Sequence, residues 1–310
     1  MEAGMASEGV VKGKVAIVTG GGGGIGRATA LQMAKEGAKV VVVDIGAAMD
    51  GSGGSAGPAD KVVAEIKAAG GEAIASTLSI TKPENAQAII DTTIATFGRV
   101  DILVNNAGIL RDRMVFKMSV SDWDDVIDVH LNGSFYMARA CVPHFKEQMG
   151  GSVINLTSTS GLIGNIGQVN YMAAKMGLVG MARGIAMDME KYNVRANCIA
   201  PVAWTRMTGS VKPDTPERVR AYEVMEKKLG PETIAPLIVW LGSDDAKTVS
   251  SQIFFVRGNE IFLMSQPRPV QMIHRDTGWN PSNLTILKDA FKKNFTPLER
   301  TNQVIPWDAP

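Results

Sequence analysis

Tyr171 and Lys175, in the run GQVNYMAAKMG at residues 167–177, stand four residues apart among good helix formers. That spacing puts both stems on one face of a helix. A phenol titrating at about pH 10 is a poor base at neutral pH, and a cation one helical turn away favours its phenolate. The pair could therefore move a proton, or it could be an ordinary solvated surface pair. Two residue types at one spacing do not decide between these.

A second chemical feature is TGGGGGIG at residues 19–26. It follows VAIVTG (15–20), a β-branched run too short for a helix and read as a buried strand. It precedes a helical pattern from Ile25 to Glu36 that stops at Gly37. In that context glycines let the backbone approach a pyrophosphate and aim the helix N-terminus at its charge; a merely loose loop is the alternative. Asp44 ends the next apolar run, KVVVVD (39–44). A carboxylate there accepts hydrogen bonds from ribose hydroxyls and repels a 2′-phosphate, although an ordinary strand-end turn also places aspartates at such positions. No Arg or Lys stands at 21, 22 or 45, so NAD is expected rather than NADP.

These groups need a scaffold, and the alternation of patterns supplies one. After the βαβ unit of residues 15–44 comes GAAMDGSGGSAGP (46–58), read as a flexible excursion, then a helix in ADKVVAEIKAAGG. AIASTLSI (73–80), VDILVNNAG (100–108), SVINLTS (152–158) and VRANCIAP (194–201) read as strands. Helices fall between them at PENAQAIIDTTIATFG, around 121–149, and from the Tyr171 segment onward. Strands and helices in such regular succession predict an α/β fold, a doubly wound parallel Rossmann-like sheet in a single domain over residues 1–258. IFFVRG (253–258) is its last predicted strand, leaving 259–310 as a C-terminal extension beyond the sheet. Phe262, Trp279, Phe291, Phe295 and Trp307 make that extension too apolar for a free linker, so it is expected to dock on something.

Composition narrows the function classes. With 310 residues the chain can bury a full core, and a net charge of +1 gives no broad electrostatic footprint for nucleic acid or an anionic membrane. Cys141 and Cys198 both sit in apolar contexts, which fits a reducing compartment better than a disulfide framework. MEAGMASEGV has no signal-like pattern, and no stretch reaches about 18 uninterrupted apolar residues. A soluble, cytoplasmic protein is expected. His130, His144 and His274 show no ligand spacing with acids or cysteines, so no metal is assigned.

In their order and separations, TGGGGGIG, NNAG (105–108), Asn132, Ser158 and YMAAK (171–175) resemble the short-chain dehydrogenase/reductase family over residues 11–258. The resemblance implies hydride exchange between a nicotinamide and a carbinol carbon. By it Tyr171 exchanges the proton, and Ser158, thirteen residues earlier, hydrogen-bonds the substrate oxygen. Lys175 supports the phenolate and holds the nicotinamide ribose, and Asn132 anchors a water leading from that lysine to solvent. It also implies cofactor contacts from Gly20, Gly24, Ile25, Gly26, Asp44, Asn106, Ala107, Gly108, Pro201 and Thr205. Residue types alone leave Thr157, Thr159 and Ser160 as neighbours that could stand in for Ser158, and Asn132 as a helix amide satisfied locally. Two departures matter. Leu78 stands where the family often has an adenine-binding aspartate, and Pro201-Val202 replaces the usual Pro-Gly.

A more particular resemblance is to the (3R)-hydroxyacyl-CoA dehydrogenase unit of type 2 multifunctional β-oxidation enzymes, through NNAGILRDR, GNIGQVNYMAAKMGL, IAPVAWTRM and PETIAPLIVWL. It implies a CoA ester or a steroid as substrate and a homodimer or homotetramer. Arg111, Arg113, Lys117 and Arg206 could then meet CoA phosphates, and Trp204, Met207 and Met225 could line an apolar pocket. Solvated charges and plain core packing are the alternatives. A dehydrogenase of free secondary alcohols or hydroxysteroids, and a noncatalytic nucleotide-sensing scaffold, also stay open. The scaffold would tolerate loss of Tyr171, Lys175 or Ser158, and all three are present.

Overall fold

Short apolar strands joined by helices must be covered on both faces, and the computed structural model, which describes residues 9–48, 50–55, 57–205 and 215–305, shows how. The strands β1 (Val15–Thr19), β2 (Lys39–Val43), β3 (Ala73–Ser76), β4 (Ile102–Asn105), β5 (Gly151–Leu156), β6 (Val194–Val202) and β7 (Ile253–Arg257) form one parallel sheet in the order 3-2-1-4-5-6-7. The intervening helices are α1 (Gly24–Lys35), α2 (Gly57–Ala68), α3 (Pro83–Phe97), α4 (Val120–Ile127), α5 (Gly133–Gln148), α6 (Thr159–Leu162), α7 (Val169–Asp188), α8 (Pro216–Lys228) and α9 (Ala235–Gly242).

The period-2 alternation of each strand sorts its side chains between two cores. Val18, Val40 and Val42 pack with α1, α2 and α9 on one face. Ile17, Val41 and Val43 pack with α3, α5 and α7 on the other. Each fully buried side chain of this size contributes about 1.5–3 kcal/mol, so the strand ends that carry the candidate site rest on a rigid base. β1 lies between β2 and β4, where the strand order reverses. Crevices at the carboxyl ends of such strands are where open α/β sheets bind ligands.

Four expectations change. The helix around 121–149 is α4 and α5 joined through a π-helical turn, Asp128–Asn132. The strand 73–80 stops at Ser76 because its partner β2 ends at Val43, the residue paired with Ser76. The sheet does not end with IFFVRG: β8 (Glu260–Leu263) pairs antiparallel to β7, so residues 260–263 belong to the sheet rather than to a tail beyond it. Finally, the excursion after Asp44 is tied down, with Ser55 N–H donating to the Ile45 carbonyl at 2.9 Å and Ala48 N–H to the Ser52 carbonyl at 2.8 Å.

Candidate active site

The glycine turn and the turn after β4 are clipped together by Thr19 at the end of β1. Its hydroxyl donates to the Val104 carbonyl at 3.2 Å and accepts from the N–H groups of Asn106 at 3.0 Å and Ala107 at 3.1 Å. The Asn106 amide returns two bonds, to the carbonyls of Thr19 at 2.9 Å and Gly20 at 3.1 Å. Gly24 and Ile25 open α1, whose N-cap Gly23 offers no side-chain cap and whose first turn holds no acid. The N–H groups there are left to an anion. Gly26 is required by close approach, since a Cβ would run into the Gly20 carbonyl. Asp44 faces this turn: its Oδ2 accepts from Gly22 N–H at 2.8 Å and its Oδ1 from Gly46 N–H at 2.7 Å. An uncapped helix N-terminus, a backbone cradle without side chains and an acid beside it together fit a dinucleotide.

Across the crevice, β5 leads directly to Ser158, which caps α6 by accepting from Ser160 N–H at 3.1 Å. Tyr171 and Lys175 lie in the first turns of α7. Thr157 ties that helix to β5 through a bond from its hydroxyl to the Lys175 carbonyl at 2.7 Å. The Lys175 ammonium reaches back to the Leu156 carbonyl at 2.5 Å and lies 5.4 Å from the centre of the Tyr171 ring. Ser158, Tyr171 and Lys175 are thus brought together, with the Ser158 hydroxyl near enough to the phenol to favour its ionised form.

Burial governs the electrostatics of Tyr171 and Lys175. Burial pushes the Tyr171 phenol up to about 12; the Ser158 hydroxyl opposes this and the Asp112 carboxylate adds to it. Burial also brings Lys175 down to about 7. Desolvation is the largest cause of both shifts. A lysine titrating there exists in both protonation states near neutrality, the condition a proton relay needs.

Other residues land less uniformly. Asn132, ending the π-turn, donates to the Asp128 carboxylate at 2.6 Å. Pro201 lies in β6, and the Thr205 methyl is 3.6 Å from where a Cβ on Gly24 would sit, so β6 delivers Thr205 to the glycine turn. Leu78 is exposed after β3. Arg111 pairs with Asp125 at 3.2 Å, while Arg113 and Lys117 are exposed. Trp204 meets the Tyr222 ring edge-on at 5.2 Å and packs against a small core that includes Met225. Arg206 and Met207 lie outside the described residues. Both cysteines are free and buried, and among the described residues no three His, Cys, Asp or Glu side chains are grouped as a metal ion would need. No helix of the described residues is long and apolar enough to cross a membrane.

Two residues at the site carry no signal in the sequence reading. Asn170, fully buried, donates to the carbonyls of Arg111 at 3.1 Å and Asp122 at 2.8 Å and accepts from Tyr171 N–H at 2.8 Å. It aims the start of α7. His130, also buried, lies edge-on to the Tyr171 ring, centroids 5.2 Å apart.

Comparison with known proteins agrees with this geometry. A family model described as short chain dehydrogenase matches residues 14–216. The chain is 48% identical over 243 residues to the peroxisomal hydratase-dehydrogenase-epimerase of Saccharomyces cerevisiae, a match covering 78% of this chain but only 26% of that longer protein. It is 39% identical over 294 residues to hydroxyacyl-CoA dehydrogenase ChsB1 of Mycobacterium tuberculosis, covering 91% of this chain and 89% of the relative. A crystal structure of a short chain dehydrogenase from Mycobacterium avium superposes with a TM-score of 0.81 at 42% identity, over 93% of this chain and 98% of the other. The chain belongs to the short-chain dehydrogenase/reductase family, enzymes that use NAD(P), and is an oxidoreductase related to the hydroxyacyl-CoA dehydrogenases.

Proposed function

We propose that the chain is an NAD-dependent dehydrogenase that interconverts a secondary alcohol and a ketone, with a 3-hydroxyacyl-CoA, including a steroid side-chain CoA ester, as its substrate. The observation that carries this is the meeting of Ser158, Tyr171 and Lys175 beyond the carboxyl end of β5, at the same end of the parallel sheet as the glycine turn and Asp44. In the oxidative direction the Tyr171 oxygen takes the proton of the substrate hydroxyl while its own phenolic proton leaves toward Lys175, as the carbinol C–H bond breaks. The Ser158 hydroxyl holds that oxygen, and Lys175, poised near neutrality, passes the proton on toward Asn132 and solvent. Bound NAD would supply the hydride acceptor. Glycines 20, 24 and 26 with Ile25 would seat its pyrophosphate, Asp44 its adenosine ribose, and Asn106, Ala107, Gly108, Pro201 and Thr205 its nicotinamide half.

The C-terminal segment belongs to this reading as a wall of the substrate side, in a homodimer or homotetramer. Thr301 N–H and its hydroxyl both bond the Gly164 carbonyl at 3.0 Å. Gly164 lies in the stretch linking Ser158 to Tyr171. Ile305 packs beside the small core that Trp204 also joins. The match to ChsB1 must reach into this segment, because it covers more of the chain than residues 1–264 contain. A free secondary alcohol or hydroxysteroid is the second reading, favoured by the engagement of Arg111 with Asp125, which takes one cation away from phosphate binding.

Turnover with NAD of a 3-hydroxyacyl-CoA and of a free hydroxysteroid, by the whole chain and by a chain ending at Leu298, separates these readings. The whole chain is expected to prefer the CoA ester, and the shortened one to show a raised KM for it with NAD affinity retained. Equal or better use of the free alcohol by the whole chain would put the second reading first.

A further inference from the structure

We propose that His130 is a positioning residue whose imidazole fixes the Tyr171 ring against the turn that follows β4. This rests on the reading of Tyr171 as the proton-exchanging group. His130 lies in the π-turn between α4 and α5, and such insertions re-aim side chains at functional sites. Here the ring is directed inward, 2% exposed. Its Nε2 lies 2.8 Å from the Ile109 carbonyl and 3.1 Å from the Ile109 N–H. Whichever tautomer is present, the same backbone residue holds it, by accepting from Nε2–H or by donating to bare Nε2.

The imidazole also meets the Tyr171 ring at 88°, a favoured aromatic arrangement. One side chain therefore joins the turn of Asn106, Ala107 and Gly108 to the candidate acid/base. Gly108 is part of the device, since a Cβ there would run into Cε1 of His130. Packing alone is a poor reason for a histidine here. Nδ1 is buried without a hydrogen-bond partner in the structure, and an apolar side chain would fill the space without leaving a polar atom unpaired. Burial first, and then the nearby Lys175 charge, hold the imidazole well below its usual pKa. The ring stays neutral and does not compete with Tyr171 for the proton.

The test uses His130→Ala and His130→Phe in the full chain, assayed with NAD and any alcohol the unaltered enzyme oxidises, alongside NAD binding by fluorescence and thermal melting. Small misplacements of reacting groups cost up to about a hundredfold, so kcat of the alanine variant should fall about ten- to a hundredfold with NAD affinity retained. The phenylalanine variant keeps a ring edge but loses the Ile109 bond, and should recover part of that loss. If the alanine variant does not fold, His130→Phe carries the test: a lower kcat at a retained melting temperature is expected. A lowered melting temperature with kcat unchanged in either folded variant marks a packing role and overturns the proposal. Tyr171→Phe is assayed in parallel. If it too keeps turnover, the Tyr171 reading has failed and takes this one with it; if it alone loses turnover, only the role of His130 falls.

Discussion

Tyr171→Phe should lower kcat by about a hundred- to ten-thousandfold, the range that a positioned acid/base contributes, while NAD still binds. The substitution deletes one hydroxyl and keeps the ring, so the edge contact with His130 survives. So does the backbone bond from Tyr171 N–H to Asn170. What is lost is the only phenol in contact with both Ser158 and the Lys175 side of the crevice among the described residues. Because burial raises that phenol to about 12, the group removed is uncharged at neutral pH, and the variant should remain folded. Steady-state rates with NAD titration and a thermal melt check this. A folded variant with near-parental kcat would remove Tyr171 from the chemistry.

The second large effect concerns cofactor choice. Asp44→Asn and the double substitution Asp44→Ala with Ile45→Arg should both weaken NAD, and the double variant should admit NADP. Hydrogen bonds to a charged group are worth about 1.5–3 kcal/mol, and each ~1.4 kcal/mol is tenfold in affinity, so loss of the ribose bonds should cost about ten- to a hundredfold. Asp44 also steadies the turn through Gly22 and Gly46, which is why asparagine is included. It keeps one acceptor oxygen for the backbone while removing the charge that repels a 2′-phosphate. Fluorescence titration with both cofactors reads the ratio, and an unchanged NAD to NADP preference in the double variant would refute the role of Asp44.

Much of this architecture is written locally. β-branched runs ending in glycine, helices that stop at Gly37, and the acid at the end of KVVVVD are short-range signals, and the sheet follows from their alternation. Spacing likewise brought out Ser158, Tyr171 and Lys175, because a helical turn and a strand-to-helix step are fixed lengths. What stayed hidden depends on distant contacts. His130 and Asn170 act only once α7 lies against the turn after β4, and nothing in HLNGSF or VNY announces it. The π-turn inserts one residue without a change of composition. The lowered lysine pKa comes from enclosure, which no spacing encodes. β8 is different, because Gly258-Asn259 between IFFVR and EIFL is a two-residue hairpin signal. That strand was readable.

Assembly and tail depend on surfaces outside one chain. Trp279 and Phe295, expected to dock, are exposed in the single subunit, whereas Ile305 is packed. Trp307 lies outside the described residues. Local pattern showed that the segment is apolar but could not say which side chains find a partner within their own subunit.

The most direct measurement follows the hydride itself. The purified chain is mixed with NAD and a 3-hydroxyacyl-CoA carrying deuterium on its carbinol carbon, and both products are weighed by mass spectrometry. Reduced cofactor bearing the deuterium, in equal amount to 3-ketoacyl-CoA and absent when Tyr171→Phe replaces the parent over the same interval, is the expected result. Cofactor that stays oxidised, or that is reduced without gaining the label, would contradict the assignment of this site to alcohol dehydrogenation.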